Sequence, residues 1–200
     1  MLSLAIQAGG DSSRMGQDKA LMPFLGQPLI TRVIERLSTL SDDIFITTNH
    51  PQGYEFLDLR LVPDRIPGGG ALGGLFTALE AARRVYVAVV ACDMPFASLS
   101  LFRFAWDTML EEAPDAVVPS TGKGIEPFHA LYRRETCLPL VEAAIEAGES
   151  KLIAWFPRSG IRILTPEETS RYTANGLAFL NLNTPEEFRL AEEKARSIPD

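Results

Sequence analysis

The sequence predicts an α/β protein: three layers, with a mostly parallel sheet between helices. Three observations carry this. Stretches of strand composition alternate with stretches of helical periodicity along the chain. Residues 85–91 (VYVAVVA) are apolar almost without interruption, as in a strand covered on both faces at the centre of a parallel sheet. No repeat, low-complexity tract or linker divides the 200 residues, a length that suits one domain.

The elements follow in order. Leu4, Ala5 and Ile6 are a short apolar run bounded by turn residues, and so a buried first strand. A turn at 26–28 puts Pro28 at the start of a helix over 29–40, in which Leu29, Ile30, Val33, Ile34 and Leu37 recur at helical spacing. Strands are expected at 44–48 and 59–62. Glycines 68, 69, 70, 73 and 74 read as a flexible rim opening a helix over 75–83. Strand 85–91 follows, then a helix to Glu112 capped by Ser98 or Ser100, and strands at 115–119 and 128–132. A helix is expected over 138–147, a short one over 151–156, and strands at 161–164 and 177–180. Thr184, Pro185 and Glu187 spell a capping box with proline at the first helical position, opening a final helix.

The chemistry-bearing stretch directly follows the first strand: Gly9, Gly10, Asp11, Ser12, Ser13, then Arg14 and Lys19. Adjacent glycines let backbone approach a ligand closely, and successive N–H groups form a concavity for phosphate oxygens. The other reading is a tight turn whose charges face water. The stretch is not the standard P-loop, because Gly16 is followed by Gln17 and Lys19 by Ala20. Gly68, Gly70 and Gly73 match the dinucleotide glycine spacing, but after the third strand rather than the first, so a dinucleotide site is set aside.

Strand 85–91 ends in Cys92-Asp93-Met94-Pro95-Phe96. A carboxylate at the end of a central strand points into the crevice where open α/β sheets bind ligands, and Asp93 suits Mg²⁺ held alongside substrate phosphates. Its alternative is a turn before proline. Asn181 and Asn183, two apart in extended chain, face one way, or else serve as turn formers.

Net charge is −7, which argues against nucleic acid and anionic membranes as partners. No apolar run approaches 18 residues, and the first residues lack a basic, cleavable leader, so a cytoplasmic protein is expected. Cys92 and Cys137 are the only cysteines, without a CxxC, and His50 and His129 the only histidines. They suggest reduced thiols and no closed zinc site, and a thiol nucleophile at Cys92 has no activating base in sequence.

Gln7-Ala8-Gly9-Gly10, then Ser12-Ser13-Arg14-Met15-Gly16 and Asp18-Lys19, resemble the signature loop of nucleotidyltransferases that activate sugar phosphates and molybdopterin. The molybdenum cofactor guanylyltransferase family is the most similar, although Gln7 stands where leucine is common there. Residues 92–96 and 181–187 are similar to that family's metal-binding aspartate segment and acceptor-side asparagine segment. The likeness runs from Leu4 to about Phe188 and is thin between Ala97 and Leu180.

The resemblance implies a Rossmann-like nucleotidyltransferase fold and transfer of GMP from GTP to molybdenum-molybdopterin, releasing pyrophosphate. It implies Lys19, Arg14 and Asp93 as catalytic residues, with Mg²⁺ as cofactor on Asp93. The nucleotide would meet Gln7, Ala8, Gly9, Gly10, Ser12, Lys19, Asn49, Asp64 and Asp93, and the acceptor Asn181 and Asn183. Asp64 alternatively caps a turn. Other cofactor-biosynthesis proteins or apo-molybdoenzymes are the implied protein partners. Cytidylyl transfer, a sugar-1-phosphate acceptor, or a nucleotide-binding delivery protein without turnover are the alternatives. Lys19 and Asp93 together favour turnover, since a pure binder does not need a metal ligand.

Overall fold

The structure, a computed structural model, describes residues 1–9 and 18–197. The first half comprises β1 (Leu2–Gln7), β2 (Pro23–Phe24), β3 (Gln27–Pro28), α1 (Leu29–Leu37), β4 (Asp43–Thr47), β5 (Arg60–Val62), α2 (Gly70–Ala81) and β6 (Tyr86–Ala91). The second comprises α3 (Leu99–Glu112), β7 (Ala116–Thr121), β8 (Gly124–Ile125), β9 (His129–Arg133), α4 (Arg134–Glu146), β10 (Ile161–Leu164), α5 (Pro166–Ser170) and α6 (Pro185–Ser197).

The main sheet runs β10-β7-β9-β6-β1-β4-β5, with β8 beside β7, while β2 and β3 make a small separate pair. β1 lies parallel between β4 and β6, Ile6 facing Ile46 on one side and Val90 on the other. β5 and β10 extend the two edges in parallel. β9 alone of the path runs backwards, antiparallel to both β6 and β7. The apolar run at 85–91 is therefore buried on both faces but has a parallel neighbour on one side only. Burial of both faces fixes the apolar composition and leaves strand direction undetermined.

Alternation along β1 divides the core. Leu2, Leu4 and Ile6 join one layer with Ile30, Val33 and Leu37 of α1 and Leu101, Phe102, Ala105 and Met109 of α3. Ala5 faces the other layer, with Leu72, Leu75, Ala78 and Leu79 of α2, Val141 and Ala144 of α4, and Trp155. Each such large side chain removed from water contributes about 1.5–3 kcal/mol, the force that presses helices onto the sheet. A third cluster docks α6: Phe188 and Ala191 pack with Phe24, Leu29, Phe96 and Leu182. Ser98 caps α3, its Oγ accepting from Leu101 N at 3.1 Å.

Four expectations are corrected. The glycines at 70, 73 and 74 lie inside α2 rather than before it. Burial of one helix face against the sheet outweighs the roughly 1 kcal/mol that each interior glycine costs. α4 begins at Arg134, four residues before the expected start. Residues 151–155 form a bend and turns, with a 3-10 helix only at Phe156–Arg158. The expected strand at 177–180 is instead the end of a 3-10 helix, Ala174–Phe179, with Leu180 N donating to Leu177 O at 2.9 Å. A four-residue apolar run carries no period that separates strand from helix. The short helix α5 was not foreseen, though its Thr165–Glu168 capping box is present in full.

Candidate active site

Parallel strands β1, β4 and β6 end on one edge of the sheet, and the described site residues gather there. β1 ends at Gln7, where Cys92 N donates to Gln7 O at 3.0 Å and Ala8 N donates to Thr47 O at 2.9 Å. The ladder thus holds the Ala8 amide. A cleft of about 370 Å³ opens here, lined by Gln7, Ala8, Gly9, Asp18, Lys19, Cys92, Asp93, Phe128, Asn181 and Asn183 among others.

Lys19 is the centre of the cleft. Its Nζ donates to Asp93 Oδ2 at 3.0 Å and to Asn183 Oδ1 at 2.8 Å. Three segments far apart in sequence meet on one ammonium group. The side chains of Lys19 and Asp93 are 23% and 15% exposed, so the pair is partly screened yet open to a ligand. Leu182 N donates to Asp93 O at 3.1 Å, which pins the asparagine segment to the end of β6.

Lys19 opens a 3-10 turn whose N-cap is Asp18, with Asp18 Oδ1 accepting from Ala20 N at 3.1 Å. The other carboxylate oxygen, Oδ2, accepts from Tyr54 Oη at 2.6 Å. Tyr54 is fully buried, and burial together with the Asp18 carboxylate raises its pKa far above the ordinary phenol value. It therefore stays a donor. Sequence reasoning missed Tyr54, since an aromatic residue in a polar loop gives no signal. It also missed Phe128 as a cleft residue, because only the reversed direction of β9 brings the residue before that strand to this edge.

Asn49 and Asp64 form a second constellation at the ends of β4 and β5. Asn49 Nδ2 donates to Asp64 Oδ2 at 2.8 Å, and Asp64 N donates to Asn49 Oδ1 at 3.0 Å. Gly9 lies against this pair; a Cβ there would stand 3.1 Å from Asp64 Oδ2. A larger residue at this position would crowd the Asp64 carboxylate. The Asp64 Oδ1 atom is buried and has no protein partner, as does Gln7 Nε2. Gly74 of α2 packs on the Gln7 amide, and a Cβ there would stand 2.8 Å from Oε1.

Gly10, Ser12 and Arg14 lie outside the described residues. His50 is exposed in the loop after β4. His129 is buried, its Nε2 accepting from Ser98 N at 2.9 Å and its ring stacked on Phe102. Burial pushes the Cys92 thiol well above its usual pKa, reinforced by the Asp93 carboxylate, so it remains protonated.

Among the described residues no group of three or more His, Cys, Asp or Glu side chains converges. The oxygen donors in the cleft are the carboxylates of Asp93 and Asp18 and the amides of Gln7, Asn181 and Asn183, all hard oxygens, with no thiolate. Mg²⁺ is commonly held by one or two carboxylates together with water and substrate phosphates, and this donor set fits it. No helix among the described residues is long and apolar enough to cross a membrane.

Solved structures share this architecture. Molybdopterin-guanine dinucleotide biosynthesis protein A from Archaeoglobus fulgidus superimposes with a TM-score of 0.84 at 24% identity, covering 98% of this chain and 100% of that one. The 2-C-methyl-D-erythritol 4-phosphate cytidylyltransferase from Thermus thermophilus gives 0.70 at 15% identity, covering 98% and 100%. The class these likenesses define is the nucleotidyltransferase fold.

Sequence relatives narrow it. A probable molybdenum cofactor guanylyltransferase from Carboxydothermus hydrogenoformans is 34% identical over 94% of this chain and 93% of its own. The molybdenum cofactor guanylyltransferase of Syntrophotalea carbinolica is 32% identical over 93% and 88%. Residues 4–161 match the MobA-like NTP transferase domain. The chain belongs to this family, the one whose signature loop residues 7–19 resemble.

Proposed function

We propose that this chain transfers GMP from GTP to molybdopterin-bound molybdenum and releases pyrophosphate. The observation that carries the reading is the Lys19 ammonium bonded at once to Asp93 and Asn183 in one cleft beside Gly9. The names of the relatives support guanine and molybdopterin as the two halves of the product.

An oxygen of the acceptor's phosphate attacks the α-phosphorus of GTP. The new P–O bond forms as the α–β bridging bond breaks, and pyrophosphate leaves with the electron pair. The acceptor oxygen is already anionic near neutral pH, so no general base is required. The absence of a poised histidine near Asp93 agrees with this: His129 is committed to Ser98. Lys19 would offer its N–H groups to phosphate oxygens, and its bond to Asn183 supports that role by holding the ammonium in the cleft. The Asn49–Asp64 pair and Gly9 hold the nucleoside side of the donor. Asp93 would hold Mg²⁺, which when bound offsets the charge of the phosphates and the departing pyrophosphate.

The test is pyrophosphate release with GTP, Mg²⁺ and molybdopterin, beside a thermal-shift panel of GTP, CTP, UTP, ATP and dTTP. GTP should give the largest shift. Asp93→Ala should lose about 100-fold or more in turnover, and Lys19→Ala should weaken nucleotide binding as well as rate. Pyrophosphate release at the normal rate by Asp93→Ala refutes the assigned role, and a larger shift with CTP or dTTP overturns the choice of base.

A further inference from the structure

The loop that carries Asp93 is bonded to α1 through two arginines. We infer that Arg32 and Arg36 are positioning residues for Asp93: through them α1 fixes the carboxylate relative to Lys19. This rests on the nucleotidyl-transfer reading above, which gives Asp93 its task.

Residues 92–98 join β6 to α3 and lie outside both the strand and the helix, so their carbonyls need partners from elsewhere. Arg32 Nε donates to Pro95 O at 3.2 Å, and Arg36 Nε donates to Ala97 O at 3.0 Å. The two arginines stand four apart on one face of α1, and the two carbonyls two apart in the loop. One helix face thus grips the loop at two points. Both side chains are half-buried rather than turned to water. The Arg32 guanidinium carbon lies 5.8 Å from the centroid of the Phe24 ring, and Phe96 meets the same ring edge-on at 6.3 Å. Phe96 itself packs with Leu29 of α1, so the loop is seated on the helix as well as bonded to it. The far side of the loop is tied to β9, where Ser98 N donates to His129 Nε2 at 2.9 Å.

The same helix is tied to the other half of the site. Leu29 N, the first amide of α1, donates to Met22 O at 2.9 Å, and Met22 N donates to Lys19 O at 3.2 Å. Both members of the Lys19–Asp93 pair are therefore referenced to one short helix. This matters once the cleft is filled. Lys19 then turns its N–H groups to phosphate and Asp93 turns to the metal, so their direct bond no longer sets the spacing between them. The backbone has to set it, and α1 does so through Met22 at its start and through the two arginines along its face. A misplacement of about 1 Å at such a pair is enough to cost much of the rate.

Two double variants of the full chain isolate the Nε bonds. Glutamine places its amide nitrogen where arginine has Nε, methionine places a methyl group there, and both lack the charge. Arg32→Gln with Arg36→Gln is compared with Arg32→Met with Arg36→Met. Three quantities are read: pyrophosphate release at varied Mg²⁺, binding of Mn²⁺ in the presence of GTP by the electron spin resonance of the free ion, and hydrogen exchange over residues 93–102. The methionine pair is expected to lose about 10-fold in kcat and in metal affinity, to change KM for GTP less than about 2-fold, and to exchange faster over the loop. The glutamine pair is expected to keep most of the natural values at a similar urea midpoint. Equal behaviour of the two pairs, or losses that follow the urea midpoint alone, overturns the inference. Should either pair fail to fold, the single substitutions are read in the same way. Should the natural protein release no pyrophosphate from GTP and molybdopterin while the two pairs still differ in exchange and Mn²⁺ binding, the clamp stands and the transfer reading falls.

Discussion

Tyr54 shows how one buried side chain governs a charged one it never touches. Its hydroxyl holds Asp18, Asp18 caps the turn, and the turn begins with Lys19. Tyr54→Phe keeps the ring in its buried seat and removes only the donor. Turnover is expected to fall about 10-fold with a smaller change in KM for GTP, because Lys19 is displaced rather than lost. A proportional loss in thermal stability with kcat unchanged would mark the contact as structural only. His129 makes the fold sensitive to acid. Burial pushes its pKa down from 6.5 to about 4. The unfolded chain therefore binds a proton at higher pH than the folded one. Stability from this group is full above about pH 6.5 and drains as pH falls toward 4, by up to about 3 kcal/mol. Urea midpoints recorded across that window should decline in the natural protein and flatten in His129→Gln.

At the scale of elements, α6 does more than close the chain. Its capping box is complete: Glu187 N donates to Thr184 Oγ1 at 3.2 Å, and Thr184 N to Glu187 Oε2 at 2.9 Å. The same carboxylate oxygen accepts from Asn183 N at 2.6 Å, so one helix start aims an asparagine at Lys19. Thr184→Ala is expected to cost about 1 kcal/mol by denaturant titration. Glu187→Ala should in addition raise KM for the acceptor, which a purely stabilising cap would not do. This motif was legible in the sequence, as were β1 and the placement of Asp93 at the end of β6, because each is a local pattern of residue types. The position of the 3-10 helix Ala174–Phe179 was not, since packing of Leu177 and Leu180 beside Phe24 and Phe188 decides it.

Across the whole molecule, one sheet is shared by two apolar layers, and each layer carries a tryptophan. Trp106 packs with the α1 and α3 layer, whereas Trp155 is buried under the opposite face. Single-tryptophan variants should report the same urea midpoint for both layers, since neither can lose its helices without baring the common sheet. Separate midpoints would divide the chain into independently folding parts and refute the one-domain expectation. The net charge of −7 gives the surface an overall repulsion toward polyanions, and the Lys19 cleft answers it only locally.

The backward course of β9 has a consequence for how such proteins diversify. By reversing between β6 and β7, it delivers its beginning, near Phe128, to the working edge and sends its end away toward α4. The strands that carry Gly9, Asn49 and Asp64 lie wholly on one flank of that divide, and β7, β8 and β10 on the other. Loops on the second flank can be exchanged for others while the first keeps its grip, so a lineage is able to inherit one specificity and reinvent the other.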